Sequence, residues 1–382
     1  MRGELKIMKI RKKESEFKDN SIDYTLLIVV LLLLSLGLIM VLSASSPTAL
    51  SEGKSTYSYF IKQAIFAAIG LVAMFFISRI DFKIYKRFYK IAYILAIVLL
   101  VLVLLIGKEV GGAKRWIYLT SSFSFQPSEI VKFLMIIFYA GILTKNRDKL
   151  HFFGKGLIWH LLFLVPIAIL LILEPHLSAT IVIAGICIIM MIMAGCKFWQ
   201  MIISGLCVGV PALVAIIMSN TYQLQRILTF LDPWSDALGD GWQVIQSLYA
   251  IGSGGLFGVG LGQSKQKFLY LPEPQNDFIF SVLAEELGFV GCVFVIALFA
   301  ILIWRGILIA MKSPDMFGSL LAIGITALIA IQVIINIAVV TSSMPATGMQ
   351  LPFFSYGGTP LFILLCEIGV LLNISRTINK DT

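Results

Sequence analysis

The stretch YLPEPQNDFIFSVLAEELG, residues 270–288, joins a turn-rich segment to a long apolar run. Pro272 and Pro274 fix their own φ angles and push the residue before each of them towards extended geometry, so the approach should be stiff and non-helical. Asp277 then stands directly before the apolar run. This position predicts a carboxylate at the membrane boundary, which is either an N-cap of the following helix or a functional group.

The composition is that of a polytopic membrane protein. Of 382 residues, 59% are hydrophobic and 13% are charged, and the mean hydropathy is +0.94. Soluble domains carry about a quarter charged residues, so a large soluble core is excluded. The five cysteines lack CxxC spacing and the three histidines are scattered, so the sequence predicts neither a disulfide set nor a metal centre.

The apolar runs predict an all-α protein with about ten transmembrane helices and a large extracytoplasmic loop between spans seven and eight. The runs cover residues 24–44, 59–78, 89–106, 127–144, 157–173, 177–195, 198–218, 278–304, 317–340 and 360–374. We divide the chain into a basic tail (1–23), one membrane domain (24–376) and a short C-terminal tail (377–382).

The positions of the basic residues predict the orientation. With the N-terminus inside, the inner segments hold 21 of the 30 lysines and arginines, as the positive-inside rule requires. Both termini should therefore be cytoplasmic. The net charge of +9 is explained by this topology, so we predict no nucleic-acid partner.

Three outer segments, residues 107–126, 220–277 and 341–359, are long and rich in Gly, Pro and aromatic residues, which is typical of functional loops. Within the largest, residues 241–251 show helical periodicity, with Gln243, Gln246 and Ser247 on the polar face. This helix should lie along the membrane surface, either as an amphipathic lid or with its polar stripe in contact with substrate.

Two lysines, Lys265 and Lys267, stand shortly before Asp277. Cations within reach of a carboxylate suit a phosphorylated substrate in which a sugar hydroxyl also loses a proton, although contact with lipid headgroups explains them equally well. The preceding glycines, residues 252–262, lack the strand and the GK[ST] signature of a nucleotide site.

The first outer segment adds Lys114, Arg115 and Trp116, a pair of cations beside an aromatic ring. Span four follows with Gln-Pro-Ser-Glu, in which Glu129 precedes Lys132 by three residues, so the two side chains should pair on one helix face. Charges at this depth generally face the interior of a bundle or a wet cavity, although a Glu–Lys pair also serves a purely structural role.

Glu285 and Glu286 follow eight and nine residues after Asp277, which places them about 12 to 14 Å along a helix axis. Both acids therefore lie inside span eight, too deep for exposure to lipid, and must face protein or water. We expect them to be partners of Lys132 or of another buried cation rather than catalytic groups.

Together these stretches resemble the SEDS family, the FtsW/RodA/SpoVE proteins of bacterial cell-wall synthesis. The similar motifs are GGAKRW (111–116), QPSE (126–129), DPWSD (232–236), QVIQSLYAIGSGGLFGVGLGQSKQKFLYLPEPQNDFIFSVLAEELG (243–288) and MPATGMQLPFFSYGG (344–358). The resemblance extends over nearly the whole chain from about residue 24 and includes the ten-span layout.

The resemblance implies a peptidoglycan glycosyltransferase that polymerises lipid II, with an undecaprenyl-linked glycan as donor, at the outer face of the plasma membrane. The family's essential acid in the large outer loop corresponds to Asp277, which would be the general base for a sugar 4-hydroxyl. Cations would stabilise the leaving pyrophosphate, and a divalent ion, Mg²⁺ or Mn²⁺, is compatible with this chemistry. The candidate cations are Lys114, Arg115, Lys132, Arg226, Lys265 and Lys267.

The family also implies a partner transpeptidase, a class B penicillin-binding protein, and other membrane proteins of the division machinery. The motifs favour the FtsW/SpoVE branch, with septal synthesis as the first interpretation and a sporulation or elongation role as the alternative. One departure stands out, because many relatives have an acid after span five where this chain has His176.

Two other classes of function share some of these features. A lipid II flippase would use the same intramembrane charges but would need no general base. A scaffold that only recruits a transpeptidase would need neither the intramembrane charges nor a general base. The feature that distinguishes a glycosyltransferase from these two classes is the carboxylate of Asp277, which follows the two prolines.

Overall fold

The computed structural model describes residues 21–110, 113–118, 124–200, 202–203, 205, 222–239, 241–268 and 270–378. Long helices dominate it. In chain order the helices are α1 (Tyr24–Ser51), α2 (Ser58–Ile77), α3 (Lys83–Ile106), α4 (Pro127–Lys145), α5 (Trp159–Leu173), α6 (Leu177–Met193), α7 (Tyr222–Leu231), α8 (Trp242–Ser253), α9 (Ile279–Lys312), α10 (Met316–Val340) and α11 (Gly358–Ser375).

Nine of the ten apolar runs form helices at the predicted places. Eight helical segments are long and apolar enough to cross a membrane, and α6 is a shorter apolar helix. Most of the remaining run, 198–218, lies outside the described residues, as do most of the N-terminal tail and the last residues of the C-terminal tail. The all-α polytopic fold is therefore confirmed.

Helices α4 and α10 form the centre of the bundle. In the most apolar 18-residue stretch of each of these two helices, 72% of the residues are buried, whereas the corresponding share in α2 and α3 is 22%. The outer helices pack in pairs around them: α2 contacts α11, α3 contacts α4, and α9 contacts both α10 and α1. The N-terminal end of α4 is consequently enclosed by protein, so polar groups placed there face other parts of the protein instead of lipid.

The first outer segment contains a small antiparallel sheet that the sequence pattern did not predict. Its strands are β1 (Lys108–Val110), β2 (Ala113–Tyr118) and β3 (Ser124–Phe125), in the order β1-β2-β3. The sheet leads directly into α4 and fixes the direction in which the side chains of β2 point.

Helix α9 is interrupted at Gly288, whose φ of 66° and ψ of −168° are not helical. The loop that contains the glycines of residues 252–262, which we call the glycine-rich loop, forms hydrogen bonds at the break. The Val259 N–H donates to the Glu285 carbonyl (3.0 Å), and the Phe289 N–H donates to the Gly255 carbonyl (2.9 Å). Every residue from 279 to 286 is buried, whereas Phe289 is 62% exposed.

The lipid-facing part of α9 therefore begins at Phe289. Glu285 and Glu286 precede this break and are both buried, so the expectation that they face protein instead of lipid is confirmed. They belong to the short helical segment of α9 before Gly288, whose residues from 279 to 286 are all buried.

The segment between the prolines and α9 is non-helical, as predicted, but it is not an extended rod. Glu273 has a φ of +48°, in the left-handed region, and the Asn276 N–H donates to the Glu273 carbonyl (3.0 Å) to close a turn. The expected extension at Glu273 is wrong because this local hydrogen bond outweighs the steric preference imposed by Pro274.

Candidate active site

A cavity of about 700 Å³ lies at the N-terminal end of α4. It brings together the three outer segments, the turn between α5 and α6, and the loop after α1. The polar and charged residues lining it include Lys54, Lys62, Arg115, Trp116, Ser124, Gln126, Glu129, Lys132, His176, Ser178, Asn276, Asp277, Gln332, Gln350, Tyr356 and Thr359.

Asp277 is fixed in this cavity through its backbone. The Asn336 side-chain amide on α10 donates to the Asp277 carbonyl (2.8 Å) and also to the Met349 carbonyl (2.6 Å). The Ser355 hydroxyl donates to the Asn276 carbonyl (2.7 Å). These bonds join the third outer segment to the end of the large loop, and the Asp277 side chain remains available to the cavity.

The carboxylate lies against Gly348, where a Cβ would be 3.3 Å from Asp277 Oδ2. Gly348 has a φ of +66°, which glycine adopts without strain. The helix itself begins after Phe278, the N-cap residue, with no side-chain capping bond. The interpretation of Asp277 as the N-cap is therefore wrong, and its place in the cavity is not explained by helix capping.

Burial raises the pKa of Asp277 from its ordinary value to about 6, and the negative charge of Glu273 adds to this effect. The guanidinium groups of Arg226 and Arg115 act in the opposite direction. A carboxylate with a pKa near 6 is largely ionised at neutral pH, yet it is more basic than an exposed aspartate. These are the properties required of a general base.

The predicted pair on α4 is present: Lys132 Nζ lies 2.8 Å from Glu129 Oε2, and only 4% of the lysine side chain is exposed. Pro127 occupies the first helical position and so leaves no unsatisfied N–H there. Both members of the pair line the cavity, so the ammonium group is held at the cavity wall by a carboxylate on the same helix face.

Strand β2 separates the three residues of the Lys-Arg-Trp motif. Arg115 and Trp116 line the cavity, whereas Lys114 is exposed and does not. The Arg115 guanidinium donates to the Pro175 carbonyl, which ties β2 to the turn between α5 and α6. Lys114 is thereby the one member of the motif that the structure does not bring to the cavity.

Two further cations, Lys54 and Lys62, line the cavity and were not singled out from the sequence. The sequence feature that could have identified them is their position, because both are among the few basic residues that the predicted topology places away from the inner side. Gln332, Gln350 and Tyr356 were also missed, since uncharged polar residues in apolar helices and loops carry little chemical signal by themselves.

His176 lines the cavity, with its Nε2 3.4 Å from Gln126 Nε2. Burial lowers the pKa of His176 to about 3, and the nearby charges of Arg115 and Lys132 act in the same direction. Burial raises the pKa of neighbouring Glu174 to about 8, against the opposing charge of Arg115. At neutral pH this turn thus presents a neutral imidazole to the cavity.

Lys265 and Lys267 do not line the cavity. Lys267 is buried and pairs with Glu286 (2.8 Å), and its ammonium group also donates to Ser43 on α1 (2.9 Å). Glu285 accepts from the Lys265 N–H (2.8 Å) and from the Ser264 hydroxyl (2.5 Å). These acids therefore fasten the large loop to α1 and α9; neither is bonded to Lys132.

The polar stripe of α8 also faces protein instead of the cavity. Gln246 and Ser247 are buried, and the Ser247 hydroxyl lies 2.7 Å from that of Ser281 and donates to the Val340 carbonyl. Gln243 is half-buried and does not line the cavity. Arg226, on α7, lies outside the lining as well, but it donates to the Ala346 carbonyl (2.5 Å) in the segment beside Asp277.

Comparison with known proteins yields a consistent set of relatives. Residues 24–380 match the FtsW/RodA/SpoVE family, described as cell cycle proteins. The chain is 45% identical to stage V sporulation protein E of Bacillus subtilis, covering 94% of this chain and 98% of that protein. It is 42% identical to the probable peptidoglycan glycosyltransferase FtsW of Trichlorobacter lovleyi, with 94% of each chain covered.

Solved structures agree with these sequence matches. One, described as a peptidoglycan synthase complex that coordinates polymerization and crosslinking, contains a chain 28% identical with a TM-score of 0.78, covering 94% of this chain and 99% of that one. The rod shape determining protein RodA of Thermus thermophilus is 26% identical with a TM-score of 0.67, covering 94% of this chain and 98% of that one. The family match, the identities and the shared architecture lead to one conclusion: the chain belongs to the FtsW/RodA/SpoVE family.

Proposed function

We propose that this protein, a peptidoglycan glycosyltransferase, polymerises lipid II into glycan strands with Asp277 as its general base. The observation that carries the proposal is the position of Asp277 in a cavity that also contains Lys54, Lys62, Arg115 and Lys132. A sugar hydroxyl that attacks must lose a proton, and a pyrophosphate that leaves gains negative charge. The cavity contains a group suited to each of these tasks.

In this mechanism the 4-hydroxyl of the acceptor lipid II attacks the anomeric carbon of the lipid-linked donor. Its proton passes to the Asp277 carboxylate as the new glycosidic bond forms. The bond to the donor's pyrophosphate breaks at the same carbon, and the undecaprenyl pyrophosphate leaves with the bonding electrons. Arg115 and the lysines lining the cavity stabilise this charge, which is greatest in the transition state.

A divalent ion remains part of the proposal only as a partner of the substrate. The described residues contain no group of three His, Cys, Asp or Glu side chains placed to hold an ion. Mg²⁺ in such sites is commonly held by one or two carboxylates together with substrate phosphates and water. Because Asp277 is assigned as the base, Glu129 is the carboxylate among the described lining residues that would hold the ion together with the substrate's pyrophosphate, and the ion would supply further neutralisation of the leaving group.

The orientation of the chain and its partners belong to the same proposal. With both termini cytoplasmic, the cavity opens towards the outer face, where lipid II is used. The similarity to a chain of a peptidoglycan synthase complex supports a class B penicillin-binding protein as partner. Relatives named for sporulation and for FtsW both match, and we propose septal synthesis with other division proteins as the first role and sporulation or elongation as the alternative.

The test is glycan polymerisation by purified protein supplied with lipid II. Asp277→Asn retains the size of the side chain but removes the base, and polymerisation should fall by about a hundredfold or more. Glu109→Gln, which removes an exposed carboxylate from β1, is the matched control and should retain activity.

Normal polymerisation by a well-expressed Asp277→Asn protein would remove Asp277 from the mechanism. A wild-type protein that moves labelled lipid II across vesicles, and forms no polymer under any condition, would instead identify a flippase.

A further inference from the structure

A second cavity, of about 390 Å³, lies between the start of α3, the end of α4 and the start of α5. Its volume is within the range of about 300–1,000 Å³ that is common for ligand pockets. Lys145, on its rim, is 16 residues along α4 from Glu129, or about 24 Å. The cavity is therefore at the opposite membrane face from the candidate active site, and we call it the inner groove.

The wall of the inner groove is aromatic. Tyr93 stacks on Phe138 with 4.4 Å between ring centroids, and Phe163 meets both rings edge-on at 5.6 and 5.2 Å. The Tyr93 hydroxyl donates to the Phe163 carbonyl (3.0 Å), which fixes the wall between α3 and α5. Trp159 extends the wall outwards and is 53% exposed. Tyrosine and tryptophan are enriched at the level of lipid headgroups.

The rim of the inner groove is cationic. Lys90 and Lys145 line it and are exposed, and in the part of the chain that the structure describes neither forms an ion pair with a carboxylate. Asn146 completes the rim and is held by its contact with His160 (3.3 Å). No acidic side chain is among the described residues that line the groove. The rim thus offers two positive charges and an amide next to an apolar wall.

We propose that the inner groove binds an anionic phospholipid, whose phosphate contacts Lys90 and Lys145 while an acyl chain lies along the aromatic wall. Basic pockets between transmembrane helices on the cytoplasmic side are known to bind acidic headgroups, and the orientation proposed above places this groove there. A soluble phosphate would satisfy the lysines but would leave the aromatic wall uncovered. The proposal is independent of the chemistry at Asp277, because the two sites share no residue.

The first test measures lipid binding to the full-length protein in a neutral detergent by native mass spectrometry. Phosphatidylglycerol should bind more tightly than phosphatidylcholine with the same acyl chains. The double variant Lys90→Gln/Lys145→Gln should weaken the tightest phosphatidylglycerol binding by about thirtyfold, the combined contribution of two lysines near a headgroup.

The matched control, Lys83→Gln/Lys149→Gln, removes two exposed lysines that do not line the groove, and it should leave this binding nearly unchanged. Equal affinity for the two lipids, or an equal loss in the control, would overturn the proposal. Displacement of the lipid by excess inorganic phosphate would show a simple anion site and would also overturn it.

The second test locates the lipid. Phosphatidylglycerol with brominated acyl chains should quench the part of the tryptophan fluorescence that a Trp159→Phe variant lacks, and brominated phosphatidylcholine should quench it much less. Quenching that is unchanged by Trp159→Phe would place the lipid elsewhere and contradict the assignment of the groove.

Discussion

The Asp277 carboxylate is effective as a base only when it is ionised, and its environment disfavours ionisation. Burial and Glu273 raise its pKa to about 6, so the fraction that can accept a proton changes between pH 5 and 7. Polymerisation should therefore increase as the pH rises through about 6 and level off above 7. Initial rates of glycan synthesis across this range measure the midpoint directly.

The matched variant for this profile is Glu273→Gln, because it removes a negative charge that contributes to the raised pKa. The midpoint should move to lower pH while the plateau is retained. A profile that is flat from pH 5 to 8 would contradict the assignment of Asp277 as the titrating group.

Lys132 should contribute to activity more than to folding, since its ammonium group lines a cavity although its side chain is almost fully buried. Lys132→Ala should abolish polymerisation. Removing one member of a buried pair is destabilising in itself, so the decisive variant is Glu129→Gln/Lys132→Met, which removes both charges. It should accumulate in the membrane at normal levels and remain inactive, as measured by immunoblot and polymerisation assay.

Recovery of activity in that double variant would show that the pair serves only the structure. A double variant that failed to accumulate would equally support a structural role for the pair.

At this scale the sequence predicted those residues whose chemistry is unusual for their surroundings. Asp277 and the Glu129–Lys132 pair stood out as charges next to apolar runs, and the structure places all three at the cavity. Lys267 was also predicted to bind substrate, but its ammonium group instead donates to the carboxylate of Glu286, which lies 19 residues further along the chain. Such pairing depends on tertiary contacts, which residue spacing does not determine.

Among the elements, the glycine-rich loop and α9 depend on each other for backbone hydrogen bonds. A Cβ at Gly258, which has a φ of +80°, would lie 2.1 Å from the Glu286 carbonyl oxygen. Gly258→Ala should therefore lower the thermal stability of the purified protein by several degrees and reduce polymerisation. Differential scanning fluorimetry in detergent, alongside the activity assay, measures both effects.

Gly252 is the matched control: it lies within α8, and a Cβ there would have no neighbour within 4 Å. Gly252→Ala should be neutral or slightly stabilising, because alanine favours helix by up to about 1 kcal/mol relative to glycine. Equal melting temperatures for the two variants would show that the close approach at Gly258 carries no energetic weight.

The elements that the sequence predicted are those specified by composition over some 20 residues. A long apolar run must satisfy its backbone groups internally in lipid, so it forms a helix almost regardless of context. The break at Gly288 and the turn at Glu273 follow instead from hydrogen bonds to nearby backbone groups, and the small sheet from pairing between short strands. Hydropathy contains no information about these contacts.

For the molecule as a whole, the orientation is the prediction with the widest consequences. Single cysteines introduced at Ser235 and Lys265, both exposed, should react in intact cells with a reagent that does not cross the membrane. A cysteine at Tyr85 should react only after permeabilisation, because residues 79–90 belong to the basic inner segments. These cysteines are introduced into a protein whose native cysteines have been replaced by serine, so that only the introduced residue can react.

Labelling of the Tyr85 position from outside, with no reaction at the other two, would invert the topology. The cavity would then face the cytoplasm, away from the surface where the glycan is assembled.

The interruption of α9 also affects how the chain enters the membrane during synthesis. The insertion machinery selects segments by apolar content, and an acidic side chain at the centre of such a segment is unfavourable by about 2.5–3.5 kcal/mol. Because Glu285 and Glu286 precede Gly288, the stretch from Phe289 to Lys312 contains no acid and its basic residues lie towards its inner end. The nascent chain thus presents the bilayer with a long apolar stretch that contains no acid. The two acids lie before this stretch, and Lys267, which is synthesised earlier, can pair with Glu286.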